Sequence, residues 1–321
     1  MKRLAIVLPA FNEADNVGPT TGVLLRKLDE LVARGMISPE YLITFVDDGS
    51  KDGTWDAIVR LNQSNPHVNG VRLSRNFGHQ AAMLAGLEQV HGHGDIVLTM
   101  DADLQHDPDA IADFVALANQ GNEVVFGVRL NRTDETMLKK ALSGFFYRAM
   151  AFLGAEVIRD HADYRLMSAR AIRELLRHEE RNLFLRGIIP TLGFKSAILH
   201  YRQLNRERGE SKYSISKMVN LALNGVTSFS TRPLRLILLL GFVALLVSLV
   251  GAGHAIYSYL SHQTVPGWSS IITAIYLLGG VQLVCMGILG EYLGKIYSET
   301  KRRPLFIVQE STLANPTSGQ G

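Results

Sequence analysis

Asp101, Asp103 and Gln105 follow a hydrophobic run at alternate positions of the segment LTMDADLQHDP, residues 98–108. Alternate side chains of an extended backbone point the same way, so the two carboxylates would lie close together. Such anions repel each other unless a cation bridges them or one of them takes up a proton. Oxygen ligands suit Mg²⁺ or Mn²⁺, which bind one or two carboxylates together with substrate phosphates. The segment therefore predicts a site for a divalent cation and a nucleotide diphosphate.

A simpler interpretation of this segment is a solvated loop in which Asp107 caps the next helix. An Asp-x-Asp pair alone is weak evidence for a metal ion. Its position after an apolar run, together with a second acidic segment VDDGS at residues 46–50, favours the metal site.

The acidic segments belong to a series of apolar runs that alternate with helical patterns. The runs are LAIVLPA, YLITFVDDGS, VNGVRLS, DIVLTMDAD and NEVVFGVR. This alternation predicts an α/β domain with a mainly parallel sheet, whose ligand site lies at the carboxyl ends of the strands. No Gly-x-Gly-x-x-Gly follows the first run and no Gly-Lys-Ser/Thr occurs, which argues against a dinucleotide oxidoreductase and a P-loop NTPase.

The C-terminal third is apolar: no Asp, Glu, Lys or Arg occurs between Leu236 and Gly290, and Pro266 interrupts the stretch. Each half has about the 20 apolar residues that a bilayer-spanning helix needs. We therefore predict transmembrane helices at 235–260 and 268–293. The alternative, a buried helical hairpin of a soluble core, is disfavoured because the charge-free stretch is so long.

Basic residues flank the predicted hairpin on both sides, and its loop SHQTVPG carries none. By the positive-inside rule both termini and the large N-terminal domain are expected in the cytosol. The N-terminal apolar run stops at Pro9 and is too short for a secretory signal. The single cysteine, Cys285, suits a reducing compartment, and a net charge of +3 gives no support for nucleic-acid binding.

These patterns divide the chain into four parts. Residues 1–212 form the catalytic domain and 234–297 the two membrane helices. Residues 213–233 have apolar side chains at helical spacing, so this helix lies along the membrane interface or packs on the soluble domain. The tail, 298–321, contains KRRPLFIVQE, a basic flank followed by a short strand that extends a sheet of the same or a neighbouring subunit.

Six motifs occur in the order seen in family 2 glycosyltransferases that act on polyprenyl phosphates: PAFNE, VDDGS, DADLQHDP, GVR, DYRLMS and RGESKY. Over nearly all of residues 3–310 the chain resembles bacterial bactoprenol glucosyltransferases of the GtrB group. It is also similar to the aminoarabinose-transferring ArnC group and, in its soluble part, to dolichyl-phosphate mannose synthase. The resemblance implies a GT-A fold, inverting transfer from a nucleotide sugar to undecaprenyl phosphate, Mg²⁺ or Mn²⁺, the bacterial inner membrane, and a homotetramer.

The resemblance also assigns roles to residues that match the family's motifs. The donor-binding residues would be Pro9, Phe11, Glu13, Asp48, Asp101, Ala102 and Asp103. The metal ligands would be Asp103 and Gln105, and the reaction centre would include Asp101, Asp103, Asp163 and Arg129. Phosphate or acceptor contacts would come from Arg129, Lys139, Ser143, Arg165, Arg206 and Lys212. Lys139 departs from the arginine common at its position, and a lysine is a point charge rather than a bidentate fork.

The chemistry is consistent with these roles. A lipid phosphate is already anionic at neutral pH, so the transfer needs charge stabilisation rather than a strong base. UDP-glucose is the expected donor, with UDP-linked amino sugars and GDP-mannose as alternatives. A processive synthase is disfavoured because no QxxRW motif occurs, and a non-catalytic membrane scaffold is disfavoured because the acidic motif is intact.

Overall fold

The structure is a computed structural model, and it describes residues 1–130, 161–178, 185–202, 232–260 and 267–313. These residues fall into two compact units. One contains the described residues up to 202 together with 303–313, and the other contains the described residues from 232 to 302.

Residues 4–129 of the first unit alternate strands and helices as the sequence predicts, whereas the strands and helices within 161–201 were not predicted. Its elements are β1 (Leu4–Ala10), α1 (Ala14–Ala33), β2 (Leu42–Asp47), α2 (Thr54–Ser64), β3 (Val68–Leu73), α3 (His79–Val90), β4 (Ile96–Thr99), α4 (Ile111–Asn119), β5 (Val124–Arg129), β6 (His161–Ser168), α5 (Ala169–Leu176), α6 (Leu185–Thr191), β7 (Ser196–Tyr201) and β8 (Val308–Ser311). A short 3-10 turn, Pro108–Ala110, precedes α4.

The described strands form one eight-stranded sheet in the order β7-β5-β6-β4-β1-β2-β3-β8. β6 and β8 run antiparallel to their neighbours, and the other strands run parallel. The expected α/β fold with a mainly parallel sheet is confirmed. Because β6 runs in the opposite direction, its first residues lie at the edge where β4 and β5 end. This places Asp163 at the carboxyl edge of the sheet.

The core explains why the strands are continuous apolar runs rather than alternating ones. All residues of β1 are buried, as expected for a parallel strand that is covered on both faces. α1, α2 and α4 pack on one face of the sheet, and α3 and α5 lie on the other. The site at the strand ends therefore stands on a rigid, fully packed layer.

Gly86 is the point at which α3 approaches the sheet most closely. A Cβ atom there would lie 2.3 Å from Val7 Cγ1 and 2.7 Å from Val46 Cγ2. We expect Gly86→Ala to destabilise the protein by about 1–3 kcal/mol, because the packed side chains of two central strands would have to move. Urea unfolding of the purified protein measures this. Gly22→Ala on α1, where nothing lies within 4 Å, is the matched control. Equal stability of both variants would contradict the prediction.

Asp107 caps a turn, as the simpler interpretation of the acidic segment requires. Its side chain accepts the backbone N–H of Asp109 at 2.9 Å, at the start of the 3-10 turn. The cap fixes the chain immediately after Gln105. It therefore accompanies the proposed metal site and does not replace it.

The C-terminal strand β8 pairs with the free edge of β3 in the same chain. The Thr312 N–H donates to the Gly70 carbonyl at 2.9 Å, and the Gly70 N–H donates to the Thr312 hydroxyl at 2.8 Å. Of the two partners predicted for this strand, the structure pairs it with the sheet of its own subunit. The strand covers an edge that would otherwise expose unpaired backbone groups.

The second unit consists of the helices α7 (Arg232–Leu260) and α8 (Trp268–Thr300), which contact each other. Within the described residues, one stretch, Leu277–Thr300, is long and apolar enough to cross a membrane. It overlaps the second predicted span. The first predicted span lies inside α7 and stays a prediction, and residues 213–231 of the predicted interfacial helix lie outside the described residues.

Candidate active site

The loops that follow β1 and β2 are bound to each other at the carboxyl edge of the sheet. Asn12 accepts the Lys51 N–H at 3.0 Å and donates its own N–H to the Ser50 hydroxyl at 2.9 Å. The Glu13 N–H donates to the Thr54 hydroxyl at 2.9 Å. The expected donor-binding segment PAFNE is thereby fixed beside VDDGS. Within it Pro9 is buried and Phe11 is partly exposed.

Asp48 is buried and holds a third loop in place. Its two carboxylate oxygens accept the backbone N–H groups of Phe77 at 2.7 Å and Gly78 at 2.9 Å. Burial raises the pKa of Asp48 above its ordinary value. The structure thus gives Asp48 a role in positioning the loop before α3, in addition to the base contact that the resemblance implies.

The acidic segment forms a tight turn after β4. Ala102 is buried, and its carbonyl accepts the Thr20 hydroxyl of α1 at 2.7 Å. Asp103 Oδ1 accepts the Gln105 N–H at 3.1 Å, and Leu104 between them has a φ of 55°. Asp103 and Gln105 therefore lie in one turn, where both can contribute oxygen ligands to a single ion.

The donor set at this turn fits a hard cation that also binds a substrate. Within the described ranges, no group of three or more His, Cys, Asp or Glu side chains is arranged to hold a metal ion. A carboxylate and an amide oxygen from the turn would leave positions for phosphate oxygens and water, which is the usual arrangement of Mg²⁺ at phosphate substrates.

Asp101 lies between two histidines. His79 Nε2 is 3.7 Å from Asp101 Oδ1, and His106 Nε2 is 3.6 Å from Oδ2. The Asp101 N–H also donates to His106 Nδ1 at 3.1 Å. His106 is fully buried and stacks on Tyr164, with ring centroids 4.8 Å apart. Burial lowers the pKa of His106, so its ring supports the loop as a neutral group.

Asp163, at the start of β6, is the centre of an ionic cluster. Arg186 donates to both of its oxygens, at 3.2 Å from Nε and 2.8 Å from Nη2. Arg165 Nη2 donates to Oδ1 at 3.0 Å, and His79 Nε2 lies 3.3 Å from Oδ2. Burial by itself raises the pKa of Asp163, but the His79 hydrogen bond and the two guanidinium charges outweigh it and hold the pKa well below its ordinary value.

Arg165 is fully buried, which differs from its expected role at a phosphate. Its neighbour two residues earlier on the same strand face is Asp163, and it donates to that carboxylate. Burial lowers the pKa of Arg165 to about 10, so the group stays charged at neutral pH. In this structure Arg165 thus contacts Asp163, and its phosphate contact stays a prediction.

Arg129, at the end of β5, adjoins the aromatic side chains that surround His106. Its Nε donates to the Tyr201 hydroxyl at 3.3 Å. The Tyr201 ring lies edge-on to Tyr164 at 5.1 Å and to His106 at 5.7 Å. Arg129 ends β5 and pairs with Tyr201 at the end of β7, so it lies at the carboxyl edge of the sheet, as the acidic turn does.

Comparison with known proteins now identifies the chain's family. Residues 5–176 match glycosyl transferase family 2, and residues 232–296 match the GtrB C-terminal hairpin. The chain belongs to glycosyl transferase family 2. The family match covers β1 to the end of α5 and includes the acidic turn, Asp48 and Asp163. The hairpin match covers most of α7 and α8 and confirms the expected C-terminal hairpin.

Proteins similar in sequence align with nearly the whole chain, and a solved structure overlaps with part of it. The uncharacterized glycosyltransferase YkoT of Bacillus subtilis (strain 168) is 46% identical over 306 residues, 95% of this chain and 90% of that protein. The SfII prophage-derived bactoprenol glucosyl transferase of Shigella flexneri is 36% identical over 98% of this chain and all of its own length. Mannosyl-3-phosphoglycerate synthase from Rubrobacter xylanophilus overlaps with a TM-score of 0.44 and 19% identity, covering 70% of this chain and 71% of that structure.

Several residues of this site were not among the predicted site residues. His79, His106, Arg186, Tyr164 and Tyr201 all join the site in the structure. His106 directly follows Gln105, so a search for histidines beside the acidic motif would have found it. Arg186 has no such signal, because only the placement of α6 brings it to Asp163. Lys139, Ser143, Arg206 and Lys212 lie outside the described residues.

Proposed function

We propose that this protein transfers a glucosyl group from UDP-glucose to polyprenyl phosphate, with inversion, to give a lipid-linked sugar for modification of the cell envelope. The main support is the alignment of 98% of the chain with the whole of a Shigella flexneri bactoprenol glucosyl transferase. The alignment includes both the catalytic domain and the hairpin. The acceptor proposed here is therefore the one that this relative's name states.

The proposed donor site uses the loops at the carboxyl edge of the sheet. Pro9, Phe11, Glu13 and Asp48 receive the nucleoside, and Asp101 and Ala102 lie at the ribose and the diphosphate. Asp103 and Gln105 hold Mg²⁺ or Mn²⁺. An ion held there would supply positive charge beside the diphosphate.

The proposed mechanism stabilises charge and does not require proton removal by the protein. The attacking oxygen of a lipid phosphate carries negative charge at neutral pH. Asp163 is a poor general base, because its pKa lies far below neutral and two arginines and a histidine occupy its oxygens. We therefore assign Asp163 to fixing these cations. Arg129, with Lys139, Ser143, Arg206 and Lys212, supplies the phosphate contacts.

The proposed location is the bacterial inner membrane, with the hairpin in the bilayer and both termini in the cytosol. α7 and α8 expose many large apolar side chains, including Leu239, Phe242 and Val250 on α7 and Leu283 and Leu293 on α8. Exposed apolar surface of this extent marks a membrane or protein contact. The hairpin would hold the protein in the same bilayer as its lipid acceptor. We also propose that the protein forms a homo-oligomer, which is a tetramer in the GtrB group that the chain resembles.

A panel of UDP- and GDP-linked sugars, incubated with the purified full-length protein and undecaprenyl phosphate, tests the proposal. We expect a lipid-linked product with UDP-glucose, its loss in EDTA, and its recovery on addition of excess Mn²⁺ or Mg²⁺. A different productive sugar would replace glucose and leave the reaction class intact. Absence of a lipid product with every donor would contradict the proposed transfer. Equal activity with and without EDTA would contradict the proposed metal site.

A further inference from the structure

His79 reaches from the first turn of α3 to two carboxylates, that of Asp163 on β6 and that of Asp101 in the turn after β4. Its Nε2 lies 3.3 Å from Asp163 Oδ2 and 3.7 Å from Asp101 Oδ1. We propose that His79 is a positioning residue of the donor site, whose ring joins the fixed carboxylate of Asp163 to Asp101 and so holds Asp101 in the direction that receives the nucleotide sugar. This inference rests on the proposed function.

The end of the link at Asp163 is immobile. Both oxygens of that carboxylate accept hydrogen bonds from Arg186, and Arg165 adds a third. The backbone carbonyl of Asp163 accepts the Thr99 hydroxyl at 2.6 Å. A carboxylate that is buried and held by three donors has one available orientation, so it is a fixed reference point for the His79 ring.

The backbone on both sides of His79 is fixed as well. The Gly78 N–H donates to Asp48, at 2.9 Å, and the Gln80 side chain accepts the Leu185 N–H at 2.9 Å. The second of these bonds ties α3 to α6, the helix that carries Arg186. The point from which the His79 side chain extends is therefore held in place relative to Asp48 and α6.

The other end of the link, Asp101, needs this support. Its side chain is 32% exposed, so burial alone does not hold it. One histidine faces each oxygen, His79 at Oδ1 and His106 at Oδ2. A carboxylate between two ring nitrogens is restricted in rotation, and fixing a rotamer before the ligand arrives avoids an entropic cost on binding.

Charge supports the same assignment. Asp101 and Asp163 both lie within 4 Å of one nitrogen, and protonation of this ring reduces the repulsion between the two carboxylates. Burial alone lowers the pKa of His79, but the hydrogen bond to Asp163 and the charges of Asp101 and Asp163 raise it overall. The position of His79 and the direction of its pKa shift therefore both support a ring that links Asp101 to Asp163.

Calorimetric titration of the full-length protein with UDP and with GDP, each with MnCl₂, tests the inference, using whichever nucleotide the unmodified protein binds more tightly. We expect His79→Ala to weaken binding by up to about tenfold, because the Asp101 side chain must then be ordered when the nucleotide binds. His79→Gln keeps an N–H donor at similar reach and should recover binding to within about threefold of the unmodified protein. His178→Ala, an exposed histidine at the end of α5, is the control and should bind normally.

A double-mutant cycle distinguishes action through Asp101 from a general structural defect. In an Asp101→Asn background, His79→Ala should weaken nucleotide binding by less than about twofold, because the group that it positions is already altered. The inference would be overturned if His79→Ala bound the nucleotide normally, or if His79→Gln did not recover nucleotide binding. It would also be overturned if His79→Ala weakened binding as strongly in the Asp101→Asn background as in the unmodified protein. Each of these results would leave the proposed function standing. If the unmodified protein binds neither nucleotide, both fall together.

Discussion

Asp103→Ala is expected to lower glycosyl transfer by at least about 100-fold, the usual effect of removing one group that stabilises transition-state charge. Asp103 shares a turn with Gln105, and both are the proposed ligands of the cation that neutralises the leaving diphosphate. Excess Mn²⁺ should not restore activity, because the missing ligand is part of the protein. The measurement is lipid-linked product formed per minute at saturating donor.

The same variant should stay folded, since Asp103 is not in the buried core. Thermal unfolding followed by circular dichroism should therefore match the unmodified protein. Asp56→Ala is a suitable control, because Asp56 is an exposed aspartate in the first turn of α2, distant in sequence from the acidic turn. Activity near the normal level in Asp103→Ala would refute the metal assignment.

Asp163→Ala is expected to destabilise the protein by about 3–5 kcal/mol, the typical cost of removing one partner of a buried ion pair. The substitution strands Arg165, which is fully buried and has Asp163 as a hydrogen-bond partner, and it releases Arg186 and His79. Urea unfolding measures the loss. Asp113→Ala, an exposed aspartate on α4, should change stability by less than about 0.5 kcal/mol.

The pH dependence of this loss follows from the two pKa shifts. Asp163 has a lowered folded pKa, so its contribution is present above its unfolded pKa of about 3.9 and is lost as pH falls through the folded value. His79 has a raised folded pKa, so its contribution is present below its unfolded pKa of about 6.5 and is lost as pH rises through the folded value.

The stability difference between the unmodified protein and Asp163→Asn should therefore be largest between about pH 4 and 6.5 and decrease at higher pH. Asparagine preserves the volume of the side chain and removes its charge, so this comparison isolates the ionic contribution. A difference that increases above pH 7 would contradict the proposed coupling of His79 to Asp163.

Much of the fold follows from local patterns in the sequence. An apolar run such as β1, bounded by proline and polar residues, predicts a buried strand because such a strand needs apolar side chains on both faces. The alternation with helices then requires a parallel sheet, and the carboxyl-edge rule places the acidic turn and VDDGS together. The apolar C-terminal segment predicts the hairpin in the same local way.

The sequence alone did not predict the antiparallel course of β6 or the return of β8 to β3. Strand direction depends on pairing between segments distant in the chain, and the residues of β6 form a motif without a directional signal. The role of Arg165 changed for the same reason. The resemblance implied a phosphate contact for Arg165, but its position inside the sheet points it at Asp163.

The sequence by itself predicted an acidic turn suited to a divalent cation and an apolar hairpin suited to a membrane. These are local properties, written in composition and spacing. The tertiary structure alone decided that His79, Arg165 and Arg186 converge on Asp163, and that His79 also reaches Asp101. These side chains come from α3, β6 and α6, and only the packing of those elements at one edge of the sheet brings them within 4 Å of the two carboxylates.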